Sequence, residues 1–165
     1  MNVDRIFEVL NRHRVDYLVI GGVNFLLRHA PVLTFDVDLW IEDSNVNRRR
    51  SEQALAELSA EWGSTEADWR PVSRRAAGWL EGQEVFCLTS PAGPVDIFLS
   101  VKGLDSWQSA SERAVAGKTD AGVSYRGISD EDMLRCQLAL DPAEQRADRI
   151  RALQGILGGK TDGRA

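Results

Sequence analysis

Two apolar runs joined through a pair of glycines set the hydrophobic pattern of the chain. Residues 15–20 read as a first strand, whose core Tyr17-Leu18-Val19-Ile20 favours a pleated surface; Gly21-Gly22 ends it, where the backbone can turn or approach a ligand without a Cβ in the way. Residues 23–29 read as a short helix, closed near Ala30 because Pro31 disfavours helical backbone in the residue before it. Residues 34–42 then alternate with period two. Phe35, Val37, Leu39 and Ile41 share one face, expected to be buried, and Asp36, Asp38, Trp40 and Glu42 share the other, expected to be polar.

The remaining pattern supplies scaffold. Val3, Ile6, Phe7 and Leu10 recur at helical spacing over residues 2–14, with Asn2 as N-cap and Asp4 in the first turn, where the helix dipole favours an anion. Ser44 caps a charged helix over 46–61 with Ala54, Leu55, Leu58 and Trp62 on its apolar side, and residues 63–82 read as a loop with at most one helical turn. A hairpin follows: Val85-Phe86-Cys87-Leu88, a Ser90-Pro91-Ala92-Gly93 turn, and a second strand over 94–101. A helix is expected over 104–116, a short strand over 123–128, and a helix opened by the capping box Ser129-Asp130-Glu131-Asp132 and carrying Met133, Leu134, Gln137 and Leu138. Asp141-Pro142 breaks it. The last helix, 143–157, turns Ala147, Ile150 and Leu153 inward, and the glycine-rich residues 158–165 form a disordered tail. The expected fold class is α/β (α+β), a small mixed β-sheet flanked by helices in a single domain over residues 1–157.

Composition narrows the function classes. The chain has 165 residues, 43% hydrophobic and 27% charged, with a net charge of −5, which excludes a disordered protein and a generic polyanion binder. Local basic clusters remain at Arg48-Arg49-Arg50 and Arg74-Arg75. Cys87 and Cys136 lack zinc-site spacing and read as buried, reduced thiols; His13 and His29 stand alone and read as structural or exposed. No apolar run approaches the ~20 residues of a membrane span, and the first residues lack a signal-peptide core, so a cytoplasmic protein without membrane contact is expected.

The candidate chemistry lies in the acids. Asp36 and Asp38, at i and i+2 on one strand face, are held side by side in the manner of a divalent-cation clamp. Asp96, between Val95 and Ile97, has the same facing parity in another strand, and an acid in mid-strand is costly unless solvent or a cation meets it. The strand, Gly-Gly, helix order presents free N–H groups as a phosphate cradle would.

Taken together, the Gly21-Gly22 signature, the strand Thr34-Phe35-Asp36-Val37-Asp38-Leu39 and the third acid in Val95-Asp96-Ile97 resemble the minimal nucleotidyltransferases of the polymerase β superfamily. The C-terminal segments around Ile128–Leu134 and 142–153 are similar to the closing helices of bacterial, toxin-type members, so the likeness spans residues 1–157. The resemblance implies a metal-dependent transfer of a nucleoside monophosphate from a nucleoside triphosphate to a hydroxyl on RNA, protein or a small molecule. Asp36, Asp38 and Asp96 would bind Mg²⁺ (or Mn²⁺), two ions ~4 Å apart, with Asp96 also helping to deprotonate the hydroxyl. Gly21 and Gly22 would lie against the triphosphate through backbone N–H groups, and Thr34 would support the strand or touch substrate. The chain departs from the family at Gln137, where relatives often carry lysine; Arg135 and Lys102 are the replacements the sequence suggests, and Arg146 with Asp148 matches a last-helix Arg/Asp pattern. Gln137 and the small size also motivate a second reading, a catalytically silent binding module of a toxin–antitoxin pair with a toxin or antitoxin partner. Base and acceptor contacts would come from variable loops, among them residues 63–82.

Overall fold

The computed structural model describes residues 1–162. The amphipathic N-terminal segment forms α1 (Val3–Arg12), capped where Asn2 Oδ1 accepts from Arg5 N at 3.0 Å, and buries Ile6, Phe7, Val9 and Leu10. β1 (Tyr17–Val19) leads into α2 (Gly21–Arg28), so the two glycines are the first turn of the helix and not a loop ahead of it. β2 (Val37–Ile41) is followed by α3 (Asn45–Glu57), capped by Ser44 through Asn47 N at 3.3 Å. β3 (Glu61–Trp62) and β4 (Arg70–Pro71) form a small separate sheet. β5 (Val85–Leu88) and β6 (Val95–Phe98) make the expected hairpin. Then come α4 (Trp107–Arg113), β7 (Val115–Lys118), β8 (Ser124–Gly127), α5 (Asp130–Ala139) and α6 (Ala147–Asp162).

The main sheet has six strands in the order β5-β6-β2-β1-β8-β7. It is mixed: β2 runs antiparallel to β1 and parallel to β6. β2 is therefore central, and its register sets Val37 opposite Val95 and Asp38 opposite Asp96.

Both faces of the sheet are covered. Val37, Leu39, Ile41, Val95 and Ile97 pack with α1 and α3 residues such as Phe7 and Leu55. On the other side Leu18, Ile20 and Trp40 pack with Phe25 of α2, Ala110 of α4, Met133 of α5 and Leu153 of α6. This corrects the reading of the Asp36/Asp38 face as polar throughout: Trp40 is buried, its indole N–H donating to Leu99 O at 3.3 Å, because the C-terminal helices roof that half of the sheet. Phe35, expected inside, is 72% exposed, since the strand begins only at Val37 and the preceding residues follow no strand alternation.

Other boundaries moved for local reasons. The helix expected over 46–61 stops at Glu57 and Ser59 takes a left-handed backbone conformation, which frees Trp62 to enter β3. The helix expected over 104–116 ends at Arg113, and the unforeseen β7 pairs with β8. In α6, Leu153 is buried but Ala147 is exposed, and the helix continues to Asp162, into the glycine-rich stretch expected to be a tail; residues 163–165 lie outside the described residues.

Residues 63–82 are largely irregular yet pinned. Arg75 donates to Trp62 O at 2.7 Å and to Asp68 O at 2.8 Å while its guanidinium lies 4.5 Å from the Trp62 ring centroid. Buried Glu52 accepts from Gly78 N at 2.9 Å and Leu80 N at 3.1 Å. Cys87, expected to be buried, is exposed, and Cys136 is half-buried. Among the described residues no helix is long and apolar enough to cross a membrane.

Candidate metal and nucleotide site

Parallel pairing of β2 with β6 is what gathers the acids. Asp38 and Asp96 are register partners in adjacent strands, and Asp36 stands immediately before β2, two residues ahead of Asp38. One carboxylate oxygen from each of Asp36, Asp38 and Asp96 lies within 4.8 Å of the other two. All three side chains are half-buried at the end of the sheet that the helices leave open. Asp36 and Asp38 line, with Thr34, Phe35, Phe98 and Gln137, a cleft of about 1220 Å³; Asp96 lies beside Asp38 on the neighbouring strand.

The glycines are required by contact with this cluster. Gly21 has φ +63°, and a Cβ there would lie 1.9 Å from Asp38 Oδ2. A Cβ on Gly22 would meet Thr34 Oγ1 at 2.7 Å and Arg149 Nη2 at 3.1 Å. The Gly22 N–H donates to the Asp38 carboxylate, so the N-terminus of α2 faces the acid cluster. Thr34 Oγ1 donates to Asp36 O at 3.2 Å and fixes the entry to β2.

Electrostatics mark the cluster as short of positive charge. Burial pushes the Asp38 carboxyl up to about 7, with Asp36 and Asp96 adding repulsion, against the opposing pull of Arg149 and the Gly22 N–H. Asp96 is raised as well, first by burial and then by Asp36, while a hydrogen bond from Cys87 counters. Cys87 is the antiparallel register partner of Asp96; although the residue as a whole is exposed, loss of water around its sulfur and then the neighbouring carboxylate push its thiol up to about 11. Three crowded carboxylate oxygens are a hard, oxygen-only donor set of the kind that suits Mg²⁺ or Mn²⁺, so the residues present fit such an ion.

The structure separates the other sequence candidates. Arg135 is tied to Asp132 at 3.1 Å and Lys102 to Asp141 at 3.6 Å. Gln137 Oε1 accepts from Arg146 N at 2.9 Å, which ties α5 to the start of α6. Arg146 and Asp148 line the cleft. His13 pairs with Glu57 and His29 with Asp130, each at 2.7 Å, away from the acids. Arg149 is the residue the sequence reading missed. It stands four positions before the buried Leu153, hence on the inward side of α6, and that spacing is the signal that could have found it.

No protein-family model and no curated protein matches the sequence. Solved structures do match in fold. A Thermotoga maritima protein assigned as a nucleotidyltransferase superposes with a TM-score of 0.58 at 16% identity, over 95% of this chain and 91% of that one. ANT(2'')-Ia in complex with adenylyl-2''-tobramycin gives 0.64 at 13% identity, over 96% and 89%. The lincosamide antibiotic adenylyltransferase LnuA, lincomycin-bound, gives 0.59 at 15% identity, over 92% and 93%. Across nearly its whole length the chain has the fold of these nucleotidyltransferases.

Proposed function

We propose that the protein is a metal-dependent nucleotidyltransferase that moves a nucleoside monophosphate from a nucleoside triphosphate to a hydroxyl acceptor. The observation that carries this reading is the convergence of Asp36, Asp38 and Asp96 within 4.8 Å at the edge of a cleft large enough for a nucleotide and an acceptor. The fold likeness to adenylyltransferases supports it. Two of those neighbours carry an adenylylated or bound antibiotic, which favours a small-molecule hydroxyl over RNA or protein as acceptor.

Asp36 and Asp38 would hold the cations, and Asp96 would hold one of them beside the attacking hydroxyl. Bound Mg²⁺ or Mn²⁺ supplies charge neutralisation on the polyphosphate and lowers the pKa of a hydroxyl or water it touches. The acceptor oxygen forms a bond to the α-phosphorus as the bond to pyrophosphate breaks, and Asp96 receives the acceptor proton. Gly21 and Gly22 keep the wall beside Asp38 free of side chains, so phosphate oxygens can approach backbone N–H groups. Thr34 holds the strand entrance on which Asp36 stands.

The test is transfer of label from each α-labelled nucleoside triphosphate to hydroxyl compounds and to cell extract, with and without Mg²⁺. Asp38→Asn and Asp96→Asn should reduce transfer to background while remaining folded. Equal transfer by wild type and both variants would sink the assignment. Mg²⁺ and nucleotide binding without transfer to any acceptor would favour the binding-module reading instead.

A further inference from the structure

The site holds three carboxylates, and a nucleoside triphosphate brings further negative charge to it, so a cation must meet the polyphosphate. Of the two cations suggested by sequence, Arg135 is paired with Asp132, and Lys102, which lines the same cleft, is paired with Asp141. Arg149, in the first turn of α6, lines the cleft and among the described residues is in no ion pair. We propose that Arg149 is the residue that receives the polyphosphate of the donor nucleotide, on a wall it shares with Gly22 and Thr34.

This deepens the nucleotidyl-transfer reading and rests on it. The wall is defined by distances: from the position of a Gly22 Cβ, Thr34 Oγ1 is 2.7 Å away and Arg149 Nη2 is 3.1 Å away. A hydroxyl, a guanidinium and bare backbone thus meet at one point, immediately beside Asp38. A planar guanidinium matches two phosphate oxygens at once in a fixed fork, whereas a flexible lysine ammonium acts as a point charge. Arg149 also attracts the Asp38 carboxylate, so it stands against the same acid that would hold a metal ion. Its positive charge opposes a divalent cation alone and favours a polyphosphate. A residue that only braced the fold would move both affinities in the same direction; Arg149 moves them apart.

The experiment is calorimetric binding of inorganic tripolyphosphate and, separately, of Mn²⁺, with thermal melts to confirm folding. Arg149→Ala should weaken tripolyphosphate binding by about tenfold or more, the scale of a lost charge-assisted pair. Arg149→Lys should retain part of the affinity. Mn²⁺ alone should bind Arg149→Ala as tightly as wild type or more tightly. Arg151→Ala, an equal charge change on the same helix, should bind tripolyphosphate as wild type does. Unchanged tripolyphosphate binding in Arg149→Ala, equal losses in Arg149→Ala and Arg151→Ala, or a joint loss of both ligands in Arg149→Ala would each overturn the proposal. No acceptor or turnover enters this measurement, so a protein that transfers nothing can still pass it, whereas unimpaired transfer by Asp38→Asn strikes the functional reading alone.

Discussion

The buried Asp132 and the half-buried trio Asp36, Asp38 and Asp96 are built in opposite ways. Asp132, fully buried in the first turn of α5, accepts from Arg113 Nε and Nη2 at 3.0 Å each and from Arg135 Nη1 at 3.1 Å, and its own N–H is bonded by Ser129 Oγ. Its charge is answered within the chain by a bidentate arginine pair, the strongest geometry a carboxylate can have. Asp38 has two other carboxylates for neighbours, one backbone N–H and the approach of Arg149, and burial holds its carboxyl up near 7. A fold that can neutralise Asp132 so fully, yet leaves Asp38 crowded by like charge, carries strain that a cation would relieve. The first cluster is mortar between α4 and α5. The second has the crowded carboxylates that the proposed metal site requires.

The widest gap between the two should open in activity. Asp38→Asn and Asp96→Asn are expected to abolish nucleotide transfer while the melting temperature of the metal-free protein holds or rises, since a repelled charge has been removed; a calorimetric melt beside a transfer assay reads both. Asp132→Ala should do the reverse in stability, losing about 2–3 kcal/mol in denaturant titration, because two guanidinium groups are left without their partner. If Asp132→Ala melted like wild type, the distinction between mortar and proposed metal site would fail on its structural side.

Gly21→Ala probes the boundary between fold and site. The added Cβ meets Asp38 Oδ2 in a left-handed residue, so about 1–2 kcal/mol of stability should go together with most of the metal affinity, measured by denaturant titration and Mn²⁺ binding. The smallest effect is on pH. The folded Asp38 carboxyl titrates near 7 and the unfolded one near 3.8, so its ionisation costs stability above the unfolded value. In EDTA the metal-free protein should therefore lose stability from this group as pH rises from about 4 to about 7, saturating Mg²⁺ should cancel the loss, and Mg²⁺ affinity should weaken as pH falls through 7. Melting curves at stepped pH, with and without Mg²⁺, test all three; the Asp132→Ala variant should keep the same Mg²⁺-dependent difference.

Much of this architecture is written in local pattern. The caps at Asn2, Ser44 and Ser129 are found where short polar side chains precede apolar periodicity, and each accepts the expected backbone N–H. The hairpin of β5 and β6 follows from two apolar runs around a turn-rich tetrapeptide. What failed to be legible was decided at a distance. Trp40 shares a strand parity with Asp38, and only the C-terminal helices, packed over one half of the sheet, separate a buried indole from a carboxylate at an open cleft. β7 carries a short sequence, Val-Ala-Gly-Lys, with too weak a preference to announce a strand, and it exists through pairing with β8.

The site divides along the same line. Sequence alone determined that Asp36 and Asp38 lie two residues apart where one strand begins, that Asp96 has the parity of Asp38 in another, and that two glycines follow β1, because alternation and backbone freedom are properties of neighbouring residues. Tertiary structure decided that β6 lies parallel against β2 in the register that sets Asp96 beside Asp38, that Gly21 presses on that carboxylate, and that Arg149 reaches it from the last helix. Those contacts join residues far apart in the chain, and their energy comes from packing both faces of the sheet, which no local stretch of sequence contains.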